Sequence, residues 1–536
     1  YDTLYRYKYL ARPYELVPNL ADGMPEVSVD GLTYTIRLKR GVEFIDDEAF
    51  PEGRGREVVA EDIIYSLKRH FDPENISQGA WLWEGKIAGF AEWAQAGGDY
   101  DAPVAGLTAV DSHTLEIRLT QPFPQLPFTL AMGFAAAVPR EAVEHYGQEL
   151  SRRPVGSGPF AVVEFDTTRV VFEPNPKFRE EPFDPEHEGY DAARHGQLGV
   201  AALAGRSPPF VDRLELDFIS ESAARWASFT SGREIQYTTV PAEQMPIVLA
   251  STDPIALKPE FGELYHMASG PESGLVFTLF NMDDPSIGYN EDPERARRNH
   301  ELRCAIRDAF SWDQRNERFY GDIGIVFPGV IPPSVPEHDP NMDRDTVTQN
   351  VERARRRLAD AGWTADNLPV LEYGGTASTT NREFYEQFRG FLTNVGFPQD
   401  KVEYRAFANF GDYNRAMRNR ELMIMGYGWG LDYPDAENTL QLFYGPNQAP
   451  GSNASNYVNP EYDALYERTA VMQPSPERTE LYARMNQMII DDCVGLMAMT
   501  RTRVYLWHKD VIGQPDREVL GGFWLRFVDV AEPGAD

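Results

Sequence analysis

Cysteine is scarce in this chain. Only Cys304 and Cys493 occur among 536 residues, which is too few for a disulfide framework or for a metal site built on cysteine. A single bridge between the two remains open beside a pair of free thiols, because separation along the chain says nothing about distance in space.

Long apolar runs are also missing. No window approaches the roughly 18 consecutive apolar residues that a bilayer-spanning helix needs, and Tyr1 does not begin a charged-then-apolar secretion signal. A length of 536 residues suggests about three or four lobes. The apolar content of 42% and the aromatic content of 12% fit an ordered globular protein.

Lysine is rare, and the basic residues are overwhelmingly arginine. Acidic residues outnumber basic ones by 83 to 51, which gives a net charge of −32 and a pI near 4.7. A field of this sign repels nucleic acid and anionic membrane surfaces, so neither is an expected partner. Ordinary solubility explains the acidic surface, and adaptation to high salt is a second interpretation.

The usual catalytic signatures are absent as well. The chain has no GxSxG, P-loop, HExxH or CxxC motif, and its nine histidines are scattered. Among 83 carboxylates, chance pairs at glycosidase spacing carry no information. His187 and His195 could bind a metal or lie in a solvated loop. We therefore predict no catalytic residue, no metal site and no cofactor.

Alternating strand and helix patterns fill the first half of the chain. Leu32, Tyr34, Ile36 and Leu38 share one face of a predicted strand, a helix is predicted over 58–71, and a strand pair turns at Asp111-Ser112. Residues 180–209 are rich in Pro, Gly and charge without a sustained period. They are interpreted as a long surface insertion, either an exposed loop or a lid.

Helices dominate the prediction for the second half. Apolar residues recur at helical spacing over 294–310, and two further helices end at Gly362 and Gly396, which suit C-terminal caps. The last helix starts with Ser475 as its N-cap and Pro476 in its first turn. One closing strand is predicted over 494–507.

Residues 423–445 carry the candidate binding site. An apolar strand is followed by Gly, Trp and Tyr around Asp432 and Asp435. Glycine permits close approach of a ligand, aromatic rings offer flat walls, and a carboxylate can anchor an ammonium group. The alternative is a turn centred on Pro434, with Asp432 or Asp435 capping a helix that begins near Glu437.

Several segments together resemble the family-5 extracellular solute-binding proteins, the dipeptide and oligopeptide receptors of ABC importers. They occur in the family's order over nearly the whole chain and read LVPNLADGMPEVSVDGLTYTIRLKRGVEF, VVAEDIIYSLKR, LTAVDSHTLEIRLTQPFP, PVGSGPFAV, LRCAIRDAFSWDQ, RARRRLADAGW, GYGWGLDYPDAEN and ERTELYARMNQMIIDD. The resemblance implies an α/β, two-lobed periplasmic binding protein (type II-like, cluster C) with an extra subdomain in the first lobe.

The same resemblance implies domain boundaries. The first lobe would span 1–268 with the extra subdomain at about 45–210, the second 269–499, and residues 500–536 would return to the first lobe. Hinges are expected near 267–276 and 497–503. A ligand shifts an open and closed equilibrium only through contacts that differ between the two states.

Site residues follow from the family's motifs. Asp432, with Trp429 before it, occupies the position that holds the α-ammonium of a bound peptide, and Tyr427 and Tyr433 flank it. The segment GAWLWEGKIAGF places Trp81, beside Trp83, where a first-lobe aromatic would face the ligand, although Trp81 could equally be core. Peptide main chain would bind like an added strand.

The implied function is capture of oligopeptides in an interlobe cleft and their delivery to ABC permease subunits, by an exported monomer at the periplasm or cell surface. Any leader would have been removed before Tyr1. Departures from the family pattern include Val59 in place of a capping Thr, SGREIQ at 231–236, and the insertion. The alternatives are a non-peptide solute such as an oligosaccharide or metal chelate, a sensor or chaperone on the same scaffold, and a carboxylate-dependent hydrolase.

Overall fold

The computed structural model describes residues 1–72, 75, 77, 79–219, 221–232, 235–513 and 523–531. The chain forms two compact units. The first unit contains residues 1–241, 258–268 and 504–536, and the second contains 242–257 and 269–503. Residues 242–257, which the sequence predicts in the first lobe, thus belong to the second unit.

The strands follow one another in chain order as β1 (Tyr5–Tyr7), β2 (Leu16–Pro18), β3 (Glu26–Val27), β4 (Thr33–Arg37), β5 (Leu107–Asp111), β6 (Thr114–Arg118), β7 (Phe160–Phe165), β8 (Arg169–Pro174), β9 (Leu214–Asp217), β10 (Tyr237–Thr239), β11 (Leu249–Thr252), β12 (Ile255–Leu257), β13 (Tyr265–Pro271), β14 (Gly274–Phe280), β15 (Ile325–Val326), β16 (Leu371–Thr376), β17 (Val402–Phe407), β18 (Ile424–Gly430), β19 (Gly495–Thr500), β20 (Thr502–His508), β21 (Val511–Ile512) and β22 (Asp529–Val530).

The α-helices are α1 (Ala60–Lys68), α2 (Phe90–Gln95), α3 (Leu126–Thr129), α4 (Arg140–Tyr146), α5 (Ala192–His195), α6 (Ser222–Gly232), α7 (Met245–Val248), α8 (Pro259–Gly262), α9 (Pro293–Ala309), α10 (Trp312–Tyr320), α11 (Val351–Asp360), α12 (Thr379–Asn394), α13 (Phe410–Arg418), α14 (Glu437–Leu440), α15 (Pro460–Ala470) and α16 (Pro476–Asp491). Short 3-10 turns lie between several of them.

The first unit combines small sheets with helices. A four-stranded sheet has the order β3-β4-β6-β5, and a three-stranded sheet has the order β7-β8-β9. Tyr34 and Ile36 of β4 are buried, as the alternating pattern predicts, because successive strand residues face opposite sides of a sheet. They pack into a core with α1, whose apolar residues recur at helical spacing.

The interpretation of 180–209 as a surface insertion is only partly right, because much of the segment is exposed but several of its side chains are buried. Phe183, Leu198, Val200 and Leu203 are buried in a second core of the first unit, with Trp507 and Phe527. Glu188 is buried too and accepts two hydrogen bonds from the Arg6 guanidinium, at 3.0 and 2.6 Å. The apolar residues anchor the segment although they follow no helical or strand period.

The second unit is built on a six-stranded mixed sheet with the order β15-β19-β14-β18-β16-β17. Strand β18 runs antiparallel to β14 and parallel to β16. Two cores lie on this sheet, one containing Phe277 and Tyr482 and the other containing Ile306 and Phe388. Because β18 is interior to the sheet, the segment that leaves its carboxyl end starts from a fixed point.

The helix signals of the second unit are confirmed. Ser475 accepts a hydrogen bond from the Arg478 backbone N–H at the start of α16. Gly362 and Gly396 follow α11 and α12 with φ of +72° and +105°, backbone angles that a side chain would disfavour. The segment predicted as one closing strand forms two strands, β19 and β20, which are separated at Arg501 and belong to different sheets.

The two cysteines form a disulfide. Cys304 lies on α9 and Cys493 lies between α16 and β19, with their Cα atoms 5.3 Å apart. Both residues belong to the second unit, so the bridge ties a helix to the sheet within one compact body. This settles the choice that the sequence left open.

Some predictions fall outside the described residues. These are Arg233 and Glu234 of the SGREIQ element, and residues 514–522 and 532–536 of the expected C-terminal return. Strand β9 and helix α6 lie just before the first of these stretches.

Candidate functional site

The candidate site begins on strand β18 of the second unit. Tyr427 and Trp429 are two residues apart, so both side chains lie on one face of the sheet. Their rings are nearly parallel, with an interplanar angle of 14° and centroids 6.5 Å apart. Both are half-buried, and they pack on the core through neighbours such as Phe277 of β14. The strand therefore holds a rigid aromatic surface.

The other face of β18 carries Gly426, Gly428 and Gly430. A β-carbon placed at Gly430 would meet no atom within 4 Å, and one at Gly428 would make only ordinary contacts. Packing within the described chain therefore does not require glycine at these two positions. Bare backbone of this kind is what a ligand needs for close approach.

One edge of β18 is also open. Pairing with β16 covers only Ile424 and Met425, whereas pairing with β14 continues to Gly430. The Tyr413 hydroxyl donates to the Gly426 carbonyl at 2.7 Å. From Tyr427 to Gly430, no strand among the described residues flanks the edge that faces away from β14.

Asp432 follows two residues after the strand. Its Oδ2 accepts a hydrogen bond from Asn438 Nδ2 at 3.1 Å. In the part of the chain that the structure describes, neither a cation nor any other donor reaches its side chain. Burial raises the pKa of Asp432, the Asn438 hydrogen bond opposes this, and the nearby Glu437 carboxylate adds to the rise. The site thus holds a half-buried carboxylate without a counter-charge.

Asp435 has a different role from Asp432. Its Oδ1 accepts a hydrogen bond from the Glu437 backbone N–H at 2.9 Å, and its Oδ2 lies 2.9 Å from a guanidinium nitrogen of the buried Arg478. Of the two aspartates that could cap the following helix, Asp435 is the one that accepts from its first backbone N–H, although Ala436 occupies the N-cap position itself. Asp432 is left free for another role.

Beneath the turn lies a buried carboxylate network that the sequence did not reveal. Glu337 contacts Arg478 at 3.1 Å, and its Oε2 accepts from the Ala436 N–H at 3.4 Å. Glu437 accepts from the Tyr433 hydroxyl at 2.5 Å and from the Tyr466 hydroxyl. Desolvation, with the Asp435 charge second, raises the pKa of Glu337 to about 7. These buried groups fix the turn that follows Asp432.

Tyr433 and Trp83 point into the core. Tyr433 is 2% exposed and Trp83 is 0% exposed. The Trp83 indole N–H donates to Thr129 Oγ1 at 3.0 Å, and the Tyr433 hydroxyl is taken up by Glu437. The structure gives both side chains packing roles, because no face of either ring is open to a solute.

Trp81, in contrast, is 39% exposed. It lies in a 3-10 turn, Ala80–Leu82, of the first unit, whereas Tyr427, Trp429 and Asp432 lie together in the second unit. The structure therefore brings three of the predicted residues into one place and leaves Trp81 available in the other unit.

A metal centre finds little support in the described residues. Among these residues, one group brings three possible metal ligands close together. It consists of His300, Cys304 and Cys493. The two thiols are joined to each other, so they cannot act as the thiolate ligands that a metal requires.

The comparison with known families decides what kind of protein this is. The family described as "Bacterial extracellular solute-binding proteins, family 5 Middle" matches residues 15–451. The chain belongs to this family. The resemblance read from its motifs is confirmed, and with it the assignment as a solute-binding protein of the extracellular type.

Individual relatives of this family-5 protein are distant in sequence. It is 24% identical over 492 residues to heme-binding protein A of Haemophilus influenzae, covering 89% of this chain and 77% of that protein. It is 22% identical over 510 residues to the dipeptide-binding protein of Escherichia coli, covering 93% and 83%. These relatives span nearly the whole chain.

A solved structure supports the fold. The periplasmic binding protein DppA of Helicobacter pylori, in complex with the peptide STSA, superposes with a TM-score of 0.70 at 20% identity, covering 99% of this chain and 92% of that one. The α/β periplasmic-binding-protein fold is confirmed. No helix among the described residues is both long and apolar enough to cross a membrane.

Proposed function

We propose that this protein is the solute-capturing receptor of a bacterial ABC importer and that it binds short peptides through their α-ammonium group at Asp432. The observation that carries the proposal is the half-buried Asp432 carboxylate with no cation in the described chain. Partial burial of a carboxylate is unfavourable unless it is paired. A ligand ammonium would supply the missing charge through a charge-assisted hydrogen bond.

The strand edge next to Asp432 supports a peptide ligand. Backbone groups between Tyr427 and Gly430 lie beside bare glycines and lack a flanking strand on one side. An extended peptide would add to this edge through main-chain hydrogen bonds, which do not depend on its side chains. The stacked rings of Tyr427 and Trp429 would give one apolar wall, and we propose Trp81 as a second.

The partners follow from the same proposal. ABC permease subunits would receive the ligand from a monomeric, exported receptor, with the first lobe, extra subdomain and hinges as the family resemblance implies. Receptor action needs no catalytic residue. Glu337 has the raised pKa expected of a catalytic acid, but its side chain is only 8% exposed and is held by Arg478, so a hydrolase is disfavoured.

Haem is the second candidate ligand, because one relative is named a heme-binding protein. Haem iron takes His, Cys, Met or Tyr as axial ligands in proteins, and its porphyrin stacks on aromatic rings. Binding of haem should depend on Tyr427 and Trp429 but not on the charge of Asp432. A Soret absorption band after incubation with haemin would support this alternative.

Calorimetric titration with trialanine and N-acetyltrialanine tests the peptide proposal. Asp432→Asn is expected to weaken trialanine binding by about 2 kcal/mol or more, roughly 30-fold, through loss of the charge pair. It should leave the weak binding of the acetylated peptide unchanged. Asp313→Asn, which removes an exposed carboxylate paired with Arg344, is the control. Equal affinity of wild type and Asp432→Asn for trialanine would contradict the proposal.

A further inference from the structure

Asn438 stands at the centre of the candidate site although it cannot touch a solute. Its side chain is 0% exposed and sits on α14, six residues after Asp432. The Oδ1 atom accepts from the Trp429 indole Nε1 at 2.8 Å and from the Asp432 backbone N at 3.1 Å. The Nδ2 atom donates to Asp432 Oδ2 at 3.1 Å. One amide group therefore contacts both the aromatic wall and the anchoring carboxylate.

The chemistry of its partners fixes which way the amide points. An indole N–H and a backbone N–H can only donate, so the atom that faces both must be the amide oxygen. The nitrogen then has to face Asp432, whose carboxylate can accept. The orientation follows from the bonding pattern and does not depend on telling oxygen from nitrogen by position.

The backbone of Asn438 is held as firmly as its side chain. Its N–H donates to the Asp435 carbonyl at 3.0 Å. The preceding residue, Glu437, is fixed by the hydroxyls of Tyr433 and Tyr466. The Asn438 amide therefore connects the buried network around Glu437 to the Asp432 carboxylate and is fixed in position.

We propose that Asn438 is the positioning residue of this site, setting the Trp429 indole and the Asp432 carboxylate relative to each other and thereby the preference for ligands with a free ammonium group. Because it engages only Oδ2, it leaves Oδ1 of Asp432 for the ligand. The ligand class rests on the proposed function above, whereas the positioning role can be tested without any ligand.

A neutral amide is essential to this arrangement. Asn438→Asp keeps an acceptor for Trp429 and for the Asp432 N–H, but it replaces the donor facing Asp432 with a second carboxylate oxygen. Two carboxylates about 3 Å apart cannot both ionise readily and share a proton. The variant should fold, bind trialanine more weakly, and show a pH dependence of affinity that differs from that of the wild type.

The ligand-free test uses fluorine NMR of protein labelled with 5-fluorotryptophan. The chain has nine tryptophans, and Trp429→Phe assigns the resonance of interest. Asn438→Ala and Asn438→Ser are expected to move the Trp429 resonance, while Asn438→Asp moves it little. The control is Asn299→Ala, which removes another fully buried asparagine of the second unit that donates to Pro285 and Gly288. It should leave that resonance in place.

The binding test uses trialanine and N-acetyltrialanine. Asn438→Ala should lower trialanine affinity about tenfold or more and acetylated-peptide affinity less than about twofold, so the preference for the free ammonium shrinks. A merely structural loss, as in Asn299→Ala, would weaken both peptides alike or neither.

The outcomes separate the two proposals. If the Trp429 resonance and the peptide preference of Asn438→Ala and Asn438→Ser equal those of the wild type, while Asp432→Asn has lost binding, the positioning role is overturned and the proposed function stands. If the wild type binds no peptide but Asn438→Ala moves the resonance, the positioning role stands and the peptide assignment fails.

Discussion

Trp81 and Trp83, two residues apart, have opposite environments. Trp83→Ala should destabilise the protein by about 3–5 kcal/mol, because it empties a fully buried site and leaves Thr129 without its indole partner. Trp81→Ala, at a side chain that is 39% exposed, should change stability by less than about 1 kcal/mol and weaken trialanine binding.

Denaturant unfolding and calorimetric titration of the two variants check this prediction together. The pair serves as its own control, since the substitutions are identical and the positions are neighbours. Loss of stability in Trp81→Ala, or unaltered stability in Trp83→Ala, would contradict the assignment of the two rings.

At the scale of single residues, the sequence indicates which side chains could bind a ligand better than it indicates which side chains contact one another. Glycine, aromatic rings and carboxylates after a strand mark residues 423–445 as a candidate ligand site, and the family resemblance then points to Asp432 and Trp429 within it. The sequence could not separate Asp432 from Asp435 as the capping residue. That choice depends on Arg478, which is distant along the chain and close only after folding. Nothing in the sequence marks Asn438, whose role depends on its side-chain hydrogen bonds with Trp429 and Asp432 in the folded chain.

The element that presents Asp432 is a short turn held from below by buried charges. Glu337 and Asp435 share the guanidinium of Arg478, and Glu437 lies beside them. Tyr433, Tyr466 and Tyr482 complete it by donating hydroxyl hydrogen bonds to the carboxylates. The stability of this turn should therefore depend on the protonation state of Glu337, whose pKa is raised mainly by burial.

The sign of that dependence follows from the pKa of Glu337, which burial raises from 4.5 to about 7. Between these two values the folded state keeps a proton that the unfolded state has lost. The contribution of Glu337 to the free energy of unfolding, roughly 3 kcal/mol, is therefore fully present below about pH 4.5 and is lost as the pH rises through about 7.

Glu337→Gln isolates this contribution. Urea unfolding of both proteins would be measured at about pH 5.5 and at about pH 8. We expect the free energy of unfolding of the wild type to fall, relative to that of Glu337→Gln, from the lower pH to the higher. Glu352→Gln, which removes a glutamate that is 75% exposed on α11, should show no such difference. A constant gap between wild type and Glu337→Gln across this range would show that Glu337 does not titrate there.

Whole elements were predictable where the chain carries start and stop signals. Ser475 and Pro476 mark the beginning of α16, and Gly362 marks the end of α11, because caps are local chemistry. Residues 180–209 were not predictable, since their buried side chains follow no period and are fixed by partners such as Trp507. The split of the closing strand at Arg501 is likewise set by two different sheets.

Across the whole molecule, the arginine-rich composition has a partly structural reason. Arg56 bridges Asp62 and Glu141 with paired hydrogen bonds, and Arg353 joins Asp308 and Asp345. A planar guanidinium can serve two carboxylates at once, which a lysine ammonium does less well. Adaptation to high salt stays a prediction.

The organisation of the chain into units was only partly visible in the sequence. The chain changes unit at 241/242, 257/258, 268/269 and 503/504, and the predicted hinges lie near the last two of these points. The resemblance suggested a lobe that leaves and returns. The short excursion of 242–257 and the Cys304–Cys493 bridge depend on contacts between distant segments, which no local pattern reports.

The central claim is that this family-5 protein captures peptides, and native mass spectrometry of the purified protein tests it most directly. The mass of the folded protein would be compared with that after denaturation, and the released small molecules would be identified. The account predicts a mixture of peptides a few residues long, retained by the wild type and lost from Asp432→Asn. Release of a single non-peptide solute, bound equally by both proteins, would contradict it.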